Sequence, residues 1–134
     1  MKILHTEASL GYGGQEMRIV KEAQGLAELG HELALLCPEE AQIGSLARDH
    51  GLTVHLLPIG RKKISAVFAL RSWLKENPQD LINTHSSTDS WLVALATRMM
   101  TDRPAIVRTR HISAAIAENL SSRWLYTKSC NHIV

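Results

Sequence analysis

The stretch KILHTEASLGYGGQEMRIVKEAQGLAELG, residues 2–30, decides the fold of this chain. It begins with a short apolar run over residues 2–6, which is typical of a strand, and continues through a turn rich in glycine and serine. A helical pattern follows over 15–29, and Gly30 ends that helix. The apolar positions on one face of the helix are Ile19, Val20, Ala23, Leu26 and Ala27.

Strand and helix patterns alternate along the rest of the chain. Further strands are predicted at 32–37, 52–58, 80–85 and 104–110, and a sixth begins within 131–134. Further helices are predicted at 40–49, 64–76, from the Ser86-x-x-Asp89 capping pattern to about 100, and at 120–129. Because parallel strands need crossover connections, this order predicts an α/β fold with a doubly wound, Rossmann-like parallel sheet over residues 1–134.

The composition is that of a globular domain, with 45% apolar and 21% charged residues among 134. No window has the length and apolarity of a membrane span or a signal peptide, so we expect a cytoplasmic protein. Cys37 and Cys130 lie far apart, which gives neither a zinc motif nor a disulfide framework. The net charge of +2 is too small to indicate a nucleic-acid partner.

The glycine turn resembles a dinucleotide site only in part. Gly11 and Gly13 match the first two glycines of G-x-G-x-x-G, but Glu16 stands where the third would let helix and strand pack closely. The sequence Leu36-Cys37-Pro38 also lacks the acid expected after the second strand. A nucleotide-dependent oxidoreductase therefore remains only as the weaker alternative.

Gly13 and Gly14 allow two interpretations. Adjacent glycines leave backbone N–H groups uncovered at a helix N-terminus, where the helix dipole favours an anion. They are equally compatible with a plain tight turn.

The expected sheet order, 3-2-1-4-5-6, places strands one and four side by side, and ligands bind at that crevice in this architecture. The loops after strands one, four and five then line one cleft. They contain Gly11 to Glu16, His85-Ser86-Ser87, and Arg110-His111. We therefore predict functional roles for His85 and His111. Structural roles are predicted for His5, His31, His50, His55 and His132.

Three segments resemble group 1 (family 4) glycosyltransferases. The opening segment MKILHTEASLGYGGQEMRIVKEAQGLAELGHELALLC resembles the family's first strand, GG-x-E turn and helix, which ends in a Gly-His pair, here Gly30-His31. DLINTHSSTDSWLVALA resembles the family's fourth strand and its Thr-His-Ser turn. PAIVRTRHIS resembles the segment that carries the active-site histidine, which matches His111. The resemblance spans essentially the whole chain.

This resemblance implies one half of a GT-B fold, in which two Rossmann-like domains face each other across a cleft. The N-terminal domain binds the acceptor, and the C-terminal domain binds the nucleotide-sugar donor through an E-x7-E element that has no match here. We therefore expect a piece of a longer enzyme, inactive by itself. The family also implies retention of anomeric configuration. It implies no cofactor, and the absence of a D-x-D motif agrees with no metal.

Roles follow from the resemblance and from the needs of glycosyl transfer. Gly13 and Gly14 would bind the donor diphosphate, where negative charge develops. His111 would lie beside the donor sugar. The residues expected to contact the acceptor are Glu16, His85, Ser86, Ser87 and Arg110. Glu16 has the alternative of simply favouring the helix N-terminus. Arg108 and Arg110 either meet an acidic acceptor or, as alternating residues at a strand end, are solvated.

Two further questions stay open at this stage. The segment RKKISAVFALRSWLK, residues 61–75, has the basic and aromatic character of a helix lying on anionic lipid, but it also fits an ordinary helix packed on the sheet. The chain could likewise be a non-catalytic acceptor-binding subunit of a split glycosyltransferase. Synthesis of cell-surface polysaccharide or lipopolysaccharide is the setting that the family implies.

Overall fold

Six parallel strands form the sheet of the computed structural model, which describes residues 1–134. The strands are β1 (Lys2–Thr6), β2 (Glu32–Cys37), β3 (Thr53–Leu56), β4 (Leu81–Thr84), β5 (Ala105–Arg108) and β6 (His132–Ile133). The helices are α1 (Gly14–Glu28), α2 (Gln42–Asp49), α3 (Ile64–Glu76), α4 (Ser87–Thr97) and α5 (Leu120–Thr127). The order β3-β2-β1-β4-β5-β6 confirms the predicted doubly wound sheet.

Helices cover both faces of the sheet. Alternate residues of β1 point to opposite faces, so Ile3 packs with Ala23 of α1 while Leu4 packs with Leu70 of α3. Helices α1 and α2 bury their apolar stripes on the first face, and α3 and α4 bury theirs on the second. Burial on both faces explains why the strands are apolar runs with few alternating polar residues.

Two strands end two residues earlier than predicted, and β4 ends one residue earlier, at Thr84. The strand expected over 104–110 ends at Arg108, because its neighbour β4 ends at Thr84, the residue paired with Arg108. The strand expected over 52–58 ends at Leu56, which pairs with Cys37, the last residue of β2. In both cases the ladder ends where the partner strand ends, and the sequence pattern does not carry that information.

The ends of α1 and α2 and the start of α4 follow the predicted signals, whereas α4 and α5 end earlier than predicted, at Thr97 and Thr127. Gly30 and Gly51 adopt positive φ angles of 90° and 78° after α1 and α2, a conformation that side chains with a Cβ rarely adopt. Ser86 is the N-cap of α4, and Ser86 and Asp89 form both hydrogen bonds of a capping box. The box fixes the loop that follows β4, and this loop carries His85.

Candidate functional site

A cleft of about 370 Å³ lies at the carboxyl ends of β1, β4 and β5, beside the switch point between β1 and β4. Its lining contains Gln15, Trp91 and Tyr126 besides the predicted residues His85, Ser86, Ser87, Arg110 and His111. Gly13 and Gly14 are exposed immediately before Gln15 at the start of α1. The structure therefore brings the three predicted loops together.

Three histidines form a continuous line from the core to the cleft. His5 Nδ1 lies 2.9 Å from His85 Nε2, and His85 Nδ1 lies 2.9 Å from His111 Nε2. His5 is fully buried and His85 is 5% exposed, whereas His111 is half-buried at the cleft. The rings do not converge on a point, and no His, Cys, Asp or Glu cluster has the arrangement of metal ligands.

The line of rings couples their tautomers. A neutral imidazole has one N–H, so if His5 donates to His85, His85 must donate to His111. In that direction His5 Nε2 carries only a lone pair, and this atom is the one that is buried without a partner. His111 Nδ1 then carries the N–H. The opposite direction leaves a buried, unpaired N–H on His5. Since buried N–H groups are rarely left unpaired, we assign the first direction, which presents a hydrogen-bond donor to the cleft.

All three rings are held in the neutral form. Burial lowers the pKa of His5 to about 4. Burial, followed by the neighbouring rings of His5 and His111, lowers the pKa of His85 well below its usual range. Burial and the nearby Arg18 guanidinium also lower the pKa of His111. Near neutral pH, His111 is therefore a hydrogen-bonding group without charge.

Asp89 holds the loop that carries His85. Its carboxylate is fully buried and accepts hydrogen bonds from Thr6 Oγ1 at 2.5 Å, His85 N at 3.0 Å, and Ser86 N and Oγ at 2.7 and 2.6 Å. These contacts join the end of β1 to the end of β4. Burial and the nearby Glu7 raise the pKa of Asp89 to about 6 despite these hydrogen bonds.

The glycine turn has no internal need for its two glycines. Neither Gly13 nor Gly14 has a positive φ angle. A Cβ on Gly14 would meet nothing within 4 Å, and one on Gly13 would lie 3.6 Å from Glu16 Oε2, an ordinary contact. Met17 is the first residue whose N–H bonds to the turn, so the earlier N–H groups of α1 remain free. The tight-turn interpretation therefore loses its physical basis.

A second acid, Glu7, anchors this turn. It is fully buried at the end of β1 and accepts hydrogen bonds from Ser9 N at 2.8 Å and Gln15 Nε2 at 2.5 Å. Burial raises the pKa of Glu7. Glu16 is also buried, with 5% of its surface exposed, and its Oε2 lies beside Gly13.

A family model decides the identity of the fold and site. The model of glycosyltransferase family 4 matches residues 12–134, which is most of the chain. The chain belongs to glycosyltransferase family 4. No curated protein sequence matches it. Membership of this family removes the oxidoreductase alternative.

Solved structures agree with this assignment. MurG from Acinetobacter baumannii gives a TM-score of 0.75 at 13% identity, over 98% of this chain and 40% of MurG. HepE from Anabaena, in complex with UDP and glucose, gives a TM-score of 0.77 at 16% identity, over 99% of this chain and 37% of HepE. The lipopolysaccharide outer core galactosyltransferase WaaB, in its apo form, gives a TM-score of 0.70 at 16% identity, over 99% of this chain and 38% of WaaB. The family 4 domain thus spans 40% or less of these structures, and the prediction of one half of a GT-B fold is confirmed.

The contacts of three predicted residues bear on their roles in this family 4 domain. Both ring nitrogens of His85 are hydrogen bonded to neighbouring histidines, an arrangement that suits the orientation of His111. His85 also lines the cleft, and its contact with the acceptor stays a prediction. Arg108 is 7% exposed, so the alternative of a solvated strand end is wrong for this residue. Arg110 is half-buried and donates to the Ala114 carbonyl at 2.5 Å.

The sequence did not reveal the contacts of His5 and Glu7. The predicted structural role of His5 agrees with its full burial, but its place at the inner end of the histidine line was not foreseen. A signal was present: His5 lies next to the carboxyl end of β1, the central strand beside the switch point. Its contact with His85 spans 80 residues of sequence, so only the sheet order reveals it.

Proposed function

We propose that this family 4 domain is the acceptor-binding half of a GT-B enzyme that transfers a sugar from a nucleotide sugar to an acceptor. The observation that carries the proposal is the neutral His111 at the switch-point cleft, oriented by His85 and His5. The same cleft is bordered by Gln15, which follows the two glycines and their free N–H groups. HepE has been solved with UDP and glucose, which supports a nucleotide-sugar ligand for this fold.

His111 acts through its Nδ1–H in this proposal. A neutral donor beside the sugar holds a hydroxyl without repelling the positive charge that develops at the anomeric carbon. An imidazolium would repel that charge. The lowered pKa of His111 favours the form that this chemistry needs. We infer that the acceptor oxygen replaces the nucleoside diphosphate on the anomeric carbon, with retention of configuration at that carbon. The reaction needs no metal or cofactor in this proposal.

The acceptor occupies the cleft beside His111. Ser87 is exposed at the start of α4, and its hydroxyl accepts only a long hydrogen bond from Lys62, at 3.4 Å, whereas Ser86 uses its side chain in the capping box. Arg110 borders the same space. Buried Glu16 suits a role in support of the glycine turn better than direct acceptor binding. The similarity to WaaB favours an acceptor in cell-surface polysaccharide or lipopolysaccharide synthesis.

The donor wall of the cleft is supplied by a second domain in this proposal. Stabilisation of the leaving group needs preorganised donors on both sides, so we expect no transfer from residues 1–134 alone. A split enzyme, with the second domain on a separate chain, uses the same chemistry. Mixing separately expressed halves distinguishes the two arrangements.

The substitution Gly14→Ala tests the role of the glycine turn. A methyl group would intrude on a diphosphate held by the N–H groups, so we expect KM for the nucleotide sugar to rise by roughly tenfold, or about 1.4 kcal/mol. The domain should be no less stable, because replacing a helical glycine with alanine commonly adds about 0.4–1 kcal/mol. Initial-rate kinetics and thermal unfolding measure the two effects.

The control is Gly25→Ala, since Gly25 lies in the same helix and a Cβ there also meets nothing within 4 Å. It should leave KM unchanged. A normal KM in Gly14→Ala would remove the diphosphate from this turn.

We also propose that α3 contacts anionic membrane lipid. Its inner face packs Ala66, Leu70 and Leu74 into the core, as in the core-packing interpretation. Its outer face leaves Ile64 76% and Phe68 63% exposed next to the basic residues 61–63. Such a pairing suits attachment to a lipid surface. None of the helices is both long and apolar enough to cross a membrane.

The double variant Ile64→Ser/Phe68→Ser should lose flotation with anionic liposomes, because it removes the apolar surface that enters the lipid. The wild type should float with anionic vesicles and much less with neutral ones. Leu29→Ser is the control, since Leu29 is 75% exposed at the end of α1. Equal flotation of the wild type with both vesicle types would disprove the contact.

A further inference from the structure

Arg108 has a buried guanidinium without a partner for one of its nitrogens. The residue is 7% exposed, and its Nη1 is buried with no hydrogen bond. The guanidinium carbon lies 4.3 Å from the centre of the Tyr126 ring. A ring face attracts a cation but accepts none of the in-plane hydrogen bonds that a guanidinium donates. Since a buried charge without hydrogen-bond partners costs free energy, this position needs an explanation.

The surroundings of Arg108 are positively charged. Arg110 lies against the same Tyr126 ring, at 5.9 Å. Lys62 Nζ lies 3.4 Å from the hydroxyl of Ser87, another residue of the cleft lining. None of the 17 residues that line the cleft is acidic. The lining therefore contains basic side chains and no acidic one, although Glu16 and Glu22 lie near enough to His111 to act on its pKa.

We propose that the acceptor bound in this cleft carries an anionic group, a phosphate or a carboxylate, which pairs with Arg108 and Arg110. The inference rests on the proposed function and adds the chemical class of the acceptor. A guanidinium presents a planar pair of N–H groups that matches both anions. Binding would supply the missing partner of Nη1 after a small rearrangement around Tyr126. The anionic group would lie beside His111, which keeps the acceptor sugar near the reacting centre.

The test is an NMR titration of the isotope-labelled protein with glucose 6-phosphate, glucuronate, inorganic phosphate and glucose. We expect the two anionic sugars to bind at least about tenfold more tightly than glucose. Inorganic phosphate separates simple anion binding from recognition of an anionic sugar. The ratio of the two anionic sugars tells phosphate from carboxylate.

Arg108→Gln should bring the affinity for the preferred anionic sugar down to that for glucose. Arg110→Gln should lower it severalfold, and it keeps the test decisive if Arg108→Gln fails to fold. Arg48→Gln, an exposed position on α2, makes the same change of charge away from the cleft and should have no effect.

Equal affinities of the wild type for glucose and for both anionic sugars would overturn the inference. Wild-type affinity in both cleft variants would overturn it as well. A failure of the proposed function has a different result, namely no sugar transfer by the whole enzyme while anion binding remains intact. If transfer remains but the anion preference is absent, only this inference fails.

Discussion

Replacing His111 with alanine is expected to lower turnover by about a hundredfold or more, as the loss of one transition-state hydrogen-bonding group does in other enzymes. The side chain lies at the cleft and is half-buried, so its removal leaves little unfilled core. We therefore expect a melting temperature close to that of the wild type. Turnover and thermal unfolding are measured on the same preparation of the whole enzyme.

The pH profile of the wild type adds to this test. In the proposed mechanism the neutral ring of His111 is the active form, and burial lowers its pKa from the usual 6.5. The fall in turnover on acidification, as the ring takes up a proton, should therefore have its midpoint below pH 6.5. His132→Ala, an exposed histidine on β6, is the matched control and should keep normal turnover. Normal turnover in His111→Ala, or a large fall in melting temperature, would contradict the catalytic assignment.

Replacing Asp89 with alanine is expected to destabilise the domain by about 3 kcal/mol or more. The substitution leaves four donors without their acceptor: Thr6 Oγ1, the backbone N–H groups of His85 and Ser86, and the Ser86 hydroxyl. Each buried donor left unpaired costs about 1–3 kcal/mol, with water recovering part of this. The loss should appear in the denaturant midpoint at pH 7.

The same variant has a characteristic pH dependence. The pKa of Asp89 is raised to about 6 in the folded protein from 3.8, so the folded state holds the proton more tightly than the unfolded state. This contribution to stability is present at low pH and is lost as pH rises through about 6. The difference in unfolding free energy between wild type and Asp89→Ala should therefore widen as pH falls from 6 towards 4. Asp49→Ala, exposed on α2, should show neither effect, and a loss below 1 kcal/mol in Asp89→Ala would refute the role of Asp89.

The sequence predicted the order of the strands because the determining signals are local. Gly30 and Gly51 end helices through their positive φ angles, and the Ser86-x-x-Asp89 pattern caps α4 as expected. The alternation of strand and helix then leaves few topologies, and the commonest one is present. The three loops of the cleft follow from that order.

The contacts inside the site were not predictable in the same way. The sequence placed His85 at the cleft, but its burial depends on His5 on one side and His111 on the other. The three histidines lie on three different strands or loops. Arg108 is buried because Tyr126 of α5 covers it, a packing contact that no strand pattern reveals. Side-chain burial at loops is set by tertiary packing, so local patterns indicate position and leave the role of each residue open.

The most direct test of the roles proposed for the glycine turn and His111 is a crystal structure of the whole enzyme bound to its nucleotide sugar. We predict that the diphosphate oxygens lie within hydrogen-bonding distance, about 2.7–3.2 Å, of the backbone N–H groups that follow Gly13. We also predict that His111 Nδ1 donates to a hydroxyl of the transferred sugar. A nucleotide sugar bound with its diphosphate and sugar beyond even water-bridged contact with this turn and with His111 would contradict the account.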